Sequence, residues 1–482
     1  MRKFILTALL VMGVVAFVAC GGNNSGNNSD NSQTSNQQTQ QQNQQQSSNQ
    51  SINLDGSFAE ARAGFITNLT RNTGNQFSIP TPPEGVYDLV HFQSNVGSLA
   101  AFVSSDPGDG QLHPMVIWVV GGWSQGISEF IWAYPEWDND QTGSAFKDAG
   151  ILMMHPSFRG ANGNPGYFET MFGEIDDIVA AFNFAASLPY VDPNRIYLAG
   201  HSTGGTRALL VAAYTDVFRA VFAFGPQDDI GEHNRTQFTF DLNNEAERAL
   251  RSPIHWLDDI SSPTFIIEGR LGNGAALQRM QNATTNPNVH VHIIENSDHF
   301  DYLAPITHLV AQHILDDTDS VSNIAFTTSQ LQDAMNQTPI LPMPIMVQHY
   351  NETANASFLL PAIWQAYWDG PGQYSFMSEY WEDNFWDDPE LYLDIYQIDQ
   401  TMTSSEIALE LGIDLAASNF SSPAPGIYIW TGFGGFQEFF SKVVVFQNDG
   451  QLVIFDFTVD MRHSVPAQII FDKIISSISF GI

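Results

Sequence analysis

The chain has 482 residues, 43% of them hydrophobic and 12% aromatic, which is long for one domain and apolar enough for two real cores. Its 17 basic against 52 acidic side chains, net −35, exclude nucleic acid as a partner, because phosphate binding needs a basic face. One cysteine, Cys20, leaves no disulfide framework, thiolate metal site or Cys nucleophile to build on.

Arg2 and Lys3 precede an apolar run, Phe4 to Ala19, which falls short of the ~20 residues a helix needs to span a bilayer. The run ends in Phe17-Val18-Ala19-Cys20-Gly21-Gly22 and resembles a bacterial lipoprotein signal, with Phe17 where Leu is usual. That resemblance implies removal of residues 1–19, acylation of Cys20, and a protein lipid-anchored to the cell envelope; the alternative is an uncleaved anchor. Asn23 to Gln50 is almost all Asn, Gln, Ser and Gly, too polar to offset its ordering entropy, so residues 20–52 are expected to be a tether. The acidic balance suits a saline habitat or, more simply, solubility through mutual repulsion.

From Val86 the chain alternates between β-rich and helical patterns. Val86–Gln93 and Leu99–Val103 predict an opening antiparallel pair around Asn95–Gly97. Met115–Val120, Ile151–His155, Arg195–Ala199, Ala220–Gly225, Thr264–Gly269 and Val289–Ile294 predict further strands. The apolar run Met115–Val120 suits a strand buried on both faces. Phe172–Leu188, Thr206–Tyr214 and Pro305–Leu315 predict helices between and after them. This order predicts an α/β fold, a doubly wound, mostly parallel sheet over residues 53–320, with catalytic groups at the C-terminal ends of its strands.

Asp, Ser and Thr clusters and the prolines of 339–344 predict a linker over 321–348. Beyond it, Phe358–Pro361, Tyr374–Met377, Ile427–Trp430, Lys442–Gln447 and Leu452–Val459 read as strands, with Asn448-Asp449-Gly450 as a hairpin turn. Val465–Ile475 reads as a helix and Ser477–Phe480 as a terminal strand. A smaller α+β domain over 349–482 is expected, and its ending, Leu452 to Phe480, resembles the PsbP-like fold. Trp364, Trp368, Tyr374, Tyr380, Trp381 and Trp386 suit either the core of that domain or a sugar or lipid platform.

Gly200-His201-Ser202-Thr203-Gly204-Gly205 fits GxSxG, the nucleophile elbow of α/β-hydrolases. A strand precedes it, a small-residue helix follows, and tiny neighbours let the two approach. Gly122-Trp123-Ser124-Gln125-Gly126 also fits, but a bulky aromatic stretch follows it and it comes too early in the fold. Its place after a strand resembles the HGG-type loop, with Val120 where His is usual. That implies an oxyanion hole made by the backbone N–H of Thr203 with that of Gly122 or Trp123.

Among thirteen histidines, His299 follows the last strand, on the loop that delivers the base. The acid departs from the pattern, because Gly272 stands where an Asp is expected. Asp228 is favoured, one strand earlier, with Asp229, Glu268 and Asn273 as alternatives; a helix-capping role for the Asp228-Asp229 pair is the plainer reading.

Residues 86–315 resemble the prolyl-oligopeptidase-type catalytic domain and its esterase relatives. The resemblance rests on Arg159-Gly160 with Gly163 and Gly166, Gly173-Glu174-Ile175-Asp176-Asp177, and Val191-Asp192-Pro193-Asn194-Arg195-Ile196. Arg159, Glu174 and Asp177 are read as scaffold ion pairs. Only Ile52–Pro83 precedes the domain, leaving no room for a β-propeller, so an esterase is favoured over a peptidase. The expectation is a serine hydrolase acting on a small-molecule ester or peptide through an acyl-enzyme, with no cofactor or metal. The alternative is an inactive hydrolase fold kept as a surface scaffold.

Overall fold

The computed structural model describes residues 51–480 except 124, 133–138, 337–345, 363, 379–389, 399–400, 412, 414–417, 435–438, 449 and 461–463. Cys20 and the polar tract lie outside these residues, as do Ser124 and Asp449. Among the described residues no helix is long and apolar enough to cross a membrane.

The first half is built on β1 (Tyr87–Ser94), β2 (Gly97–Ser104), β3 (His113–Val119), β4 (Leu152–Pro156), β5 (Val191–His201), β6 (Val221–Phe224), β7 (Thr264–Gly269) and β8 (Val289–Ile294). They form one sheet in the order β1-β2-β4-β3-β5-β6-β7-β8. β1 and β2 pair antiparallel, β2 meets β4 antiparallel, and β4-β3-β5-β6-β7-β8 are parallel. Around the sheet lie α1 (Phe58–Arg62), α2 (Ser144–Asp148), α3 (Glu174–Ala185), α4 (Thr203–Tyr214), α5 (Glu245–Ala249), α6 (Gly274–Ala283) and α7 (Leu303–Asp316). This is the α/β-hydrolase architecture that the alternating pattern predicts.

β3 shows why its run has no polar member. Met115, Ile117 and Val119 enter the core on one face of the sheet, while Val116 and Trp118 enter the core on the other. Each such fully buried side chain contributes ~1.5–3 kcal/mol. α3 buries Ile175, Ile178, Ala181 and Ala185, a stripe at helical spacing. Phe182 and Phe184 are only partly buried, packed against the same core.

Residues 324–334 do not behave as the linker expected there. Phe326 packs its ring on Phe265 (5.0 Å between centroids), Phe222 (6.5 Å) and His313 (4.5 Å). α8 (Thr328–Ala334) buries Leu331 and Ala334, and Gln332 Oε1 accepts from the Glu295 amide at 2.9 Å. Apolar Ile324, Phe326 and Leu331 outweigh the surrounding Ser, Thr and Asp, so this stretch completes the hydrolase core.

The second half contains β9 (Met346–Asn351), β10 (Ala356–Pro361), β11 (Trp364–Gly370), β12 (Gln373–Ser378), β13 (Glu390–Gln397), β14 (Asn419–Ala424), β15 (Ile427–Gly434), β16 (Phe439–Asn448), β17 (Gln451–Asp460) and β18 (Ser479–Phe480). A three-stranded sheet runs β18-β10-β9 and a seven-stranded one runs β11-β12-β13-β17-β16-β15-β14. All their pairings are antiparallel. α9 (Ser404–Glu410) sets Ile407 and Ala408 in one apolar cluster with Trp430, Val443, Val445, Leu452 and Ile454. α10 (Ser464–Ser477) stacks Phe471 on Phe457 at 4.3 Å. The result is the antiparallel α+β unit expected. Trp364 is buried in its core and Trp368 is exposed; Tyr380, Trp381 and Trp386 lie outside the described residues.

Burial holds His155 and His201 neutral, each lowered to about 3. The unfolded chain protonates these rings near pH 6.5 while the folded protein does not, so stability is complete above pH 6.5 and falls as acid is added. The melting temperature, followed by circular dichroism, should therefore drop steadily below pH 6.5.

Candidate active site

Ser202 stands between β5 and α4 at φ 56° and ψ −117°. A side chain at such angles costs ~1–3 kcal/mol and is held only where the surroundings dictate it. They do so here. The Ser202 amide donates to the Phe224 carbonyl at 2.8 Å, and its own carbonyl accepts from the Thr206 amide at 3.0 Å. A Cβ on Gly200 would lie 2.7 Å from Gly204, one on Gly205 would lie 2.5 Å from the Phe224 carbonyl, and one on Gly204 would overlap the Val119 carbonyl. Strand and helix close on the serine because nothing but hydrogen separates them.

α4 begins at Thr203, so the Thr203 amide is among the first N–H groups of a helix, which have no intrahelical acceptor. Across from it, Gly122 has φ 76° and its carbonyl accepts from Thr203 Oγ1 at 2.6 Å. That bond locks the loop after β3 beside the start of α4. Trp123 follows, half-buried, with its ring 5.6 Å from His233 and 6.1 Å from Phe238. The three residues expected to supply oxyanion donors are thus together.

His299 lies in the loop after β8. His201 Nε2 bonds the His299 carbonyl at 3.0 Å, and the two rings lie 4.5 Å apart. The residue beside the serine therefore fixes the backbone of the base. His299 Nδ1 faces Glu268 Oε2 at 2.8 Å. Glu268, next to last in β7, is 0% exposed and accepts from the Gly269 amide at 2.8 Å through its other oxygen. Burial raises its carboxyl above the usual range, opposed by the His299 hydrogen bond and by the amides of Gly269 and Asn273.

Asp228, the favoured acid, is elsewhere. Its carboxylate is buried and takes both Nε and Nη2 of Arg279 at 2.7 Å, from α6. Asp228 is thus engaged with Arg279, and the His299 Nδ1 partner is Glu268 instead. Asp229 accepts from the Gly231 amide and pairs with Arg248, the capping role that was the plainer reading. Asn273 donates through Nδ2 to the Gly225 carbonyl (2.9 Å) and accepts through Oδ1 from the Gln227 side-chain Nε2 (2.8 Å), so both ends of its side chain are engaged away from His299.

Gly272 explains the departure. A Cβ there would overlap Glu268 Oε1 and lie 2.9 Å from the His299 amide and Cα. The volume that an Asp would use at this position is filled by the carboxylate of Glu268, reaching in from the strand end. Gly225 opposes it, at φ 58°, where a Cβ would be 2.5 Å from Glu268 Oε2 and 2.6 Å from the His299 ring. The sequence clue was a charged residue closing an otherwise apolar strand, Thr264–Gly269. His201, hidden inside the motif itself, carried no signal of its positioning role.

Arg159 forms a two-pronged pair with Asp177 (2.9 Å on each prong) and reaches Glu169 at 2.8 Å. Glu174 is not in that pair; it accepts from the Glu169 and Phe172 amides ahead of α3.

The fold is that of an α/β-hydrolase, and Ser202, His299 and Glu268 stand at the C-terminal ends of its parallel strands or in the loops that follow them. Residues 140–302, about a third of the chain and including Ser202, Glu268 and His299, match the family model described as the prolyl oligopeptidase family. No curated protein matches the chain. Among solved structures, a puromycin-hydrolyzing peptidase of Mycobacterium tuberculosis is 20% identical over 49% of this chain and 40% of its own, with a TM-score of 0.39. An α/β serine hydrolase without a lid from Xanthomonas campestris is 18% identical over 49% of this chain and 96% of its own, at 0.35. An esterase of Pyrococcus furiosus is 15% identical over 52% and 98%, at 0.40. The chain spans well under half the length of that peptidase.

Two substitutions test the acid. Glu268→Gln should lower kcat by several orders of magnitude, on the scale of ~10⁴ for loss of a triad carboxylate, while Asp228→Asn should act mainly on stability. Gly272→Ala, which removes no functional group, should cost at least about tenfold in kcat by displacing Glu268 and the His299 backbone. Kinetics with circular dichroism on the three variants would check this; a dead Asp228→Asn beside a near-normal Glu268→Gln would reverse the assignment.

Proposed function

We propose that the protein is a serine hydrolase that cleaves an ester or amide through an acyl-enzyme on Ser202. His299 takes the Ser202 proton as the hydroxyl attacks the substrate carbonyl. Glu268 holds the imidazole by Nδ1 and stabilises the imidazolium that forms. The amides of Thr203 and of Gly122 or Trp123 hold the oxyanion, and His299 then protonates the leaving group. Water repeats the sequence to release the acid. The single observation that carries this reading is the Glu268–His299 contact at 2.8 Å beside a serine held at positive φ.

The same contact weighs against an inactive scaffold, because a buried carboxylate facing an imidazole has no evident packing value. The leader and polar tract favour export and a lipid on Cys20, with residues 20–52 as tether and the enzyme at the cell envelope. Metabolic labelling with a palmitate analogue, lost in Cys20→Ala, tests that part.

A fluorophosphonate probe on intact protein should label Ser202. Ser202→Ala should abolish labelling and turnover of p-nitrophenyl esters while leaving the fold intact, and Ser124→Ala should change activity modestly. Labelling that survives Ser202→Ala and disappears in Ser124→Ala would overturn the elbow assignment.

A further inference from the structure

The loop that follows β3, Gly121 to Ile127, carries Gly122 and Trp123, one of which gives the second oxyanion amide in the reading above. Its described residues belong to no helix or strand. A segment with no ladder of its own is placed by whatever bonds its backbone groups. At its start a Cβ on Gly121 would lie 3.3 Å from Ser202 Cβ, and the Gly122 carbonyl accepts from Thr203 Oγ1 at 2.6 Å. Further along, Gln125 stands at φ 56°, a conformation that the surroundings must impose. The Phe158 amide donates to the Gln125 carbonyl at 3.0 Å.

The far end is held by one side chain. Asn162, at φ 51° between β4 and α3, accepts from the Ile127 amide through Oδ1 at 2.8 Å and donates through Nδ2 to the Ile127 carbonyl at 3.1 Å. It grips both polar groups of one residue, as a neighbouring strand would. Only a glycine at 126 permits the approach, since a Cβ there would overlap Asn162 Oδ1. The same Oδ1 accepts from Ser157 Oγ at 2.7 Å, and Ser157, 0% exposed, accepts in turn from Asn164 Nδ2 at 3.0 Å. Residues ahead of β1 complete the support. The Asn162 amide donates to Asn75 Oδ1 at 2.8 Å, and its Nδ2 also reaches the Phe77 carbonyl at 3.2 Å.

We propose that Asn162 is a positioning residue for the oxyanion loop. It bonds the loop at the end away from Ser202, and by fixing Ile127 it sets where the Gly122 and Trp123 amides lie. The proposal rests on the hydrolase reading above. A misplacement of about 1 Å at a reacting centre costs ~10²-fold in rate, and an oxyanion donor acts on the transition state far more than on bound substrate.

Three variants of the full chain test it against a p-nitrophenyl ester, with circular dichroism to follow folding. Asn162→Ala removes the clamp. Asn162→Asp keeps its shape and its acceptor but sets an oxygen against the Ile127 and Phe77 carbonyls. Gly126→Ala removes no hydrogen-bonding group and pushes Asn162 away from Ile127. Each should lower kcat by roughly 10²-fold with KM within about twofold. A trifluoromethyl ketone, whose adduct with Ser202 carries the oxyanion, should lose affinity in proportion to kcat/KM. The corresponding secondary alcohol, which forms no oxyanion, should bind as before. The variants that fold decide the matter. Equal losses for both ligands, or kcat near that of the unsubstituted protein, would overturn the proposal. So would failure of all three variants to fold, which would make the clamp a matter of stability alone. An unsubstituted protein that neither turns over the ester nor binds the trifluoromethyl ketone sinks the hydrolase reading itself, and this proposal with it.

Discussion

Ser202 is held at φ 56° and ψ −117°, and the rest of the active domain is arranged so that this turn can exist. The helix behind it must press onto the strands before and beside it, which is why Gly200, Gly204 and Gly205 meet the backbones of β3, β5 and β6 with no side chain between them. The ends of those strands nearest the turn are in turn buried, and α4 is buried from Thr203 to Ala213. Packing of this kind on every side is what holds an unfavourable backbone conformation in place.

The base is tied to the same turn from two directions. His201 bonds the backbone of His299, and Glu268 bonds its ring. One contact sets where the loop lies and the other sets how the imidazole is oriented. Glycines at 225 and 272 leave room for both. The carboxylate is buried yet accepts backbone amides besides the imidazole, which lets it remain useful as an acceptor where desolvation alone would favour its protonated form.

Elsewhere the domain treats buried charge consistently. Arg159 with Asp177 and Arg251 with Glu247 each pair a guanidinium with a carboxylate where water is absent. Breaking one such pair leaves an uncompensated charge, a loss on the order of 3–5 kcal/mol, although the pair as a whole adds little net stability. Against that pattern Arg207 stands apart, fully buried with no hydrogen-bond partner among the described residues. The scaffold elements also extend past the expected boundary, since Phe326 and Leu331 belong to the core of the hydrolase sheet.

What could be read from the sequence is whatever short-range patterning encodes. Continuous apolar runs gave away the strands of the parallel sheet, GxSxG in its strand-to-helix setting marked Ser202 as the candidate nucleophile, and chain order marked His299 as the candidate base. The edges of elements and the less regular strands, β9, β11, β13 and β14, were invisible because polar and aromatic residues interrupt their alternation. Which carboxylate faces His299 was decided by tertiary structure alone. Asp228, Asp229, Glu268 and Asn273 all sit at strand ends or just beyond them, so local pattern cannot rank them. Which carboxylate reaches Nδ1 depends on side-chain length, on the space left by two glycines, and on whether an arginine from α6 has already claimed the competitor, and each of these arises only when distant segments pack.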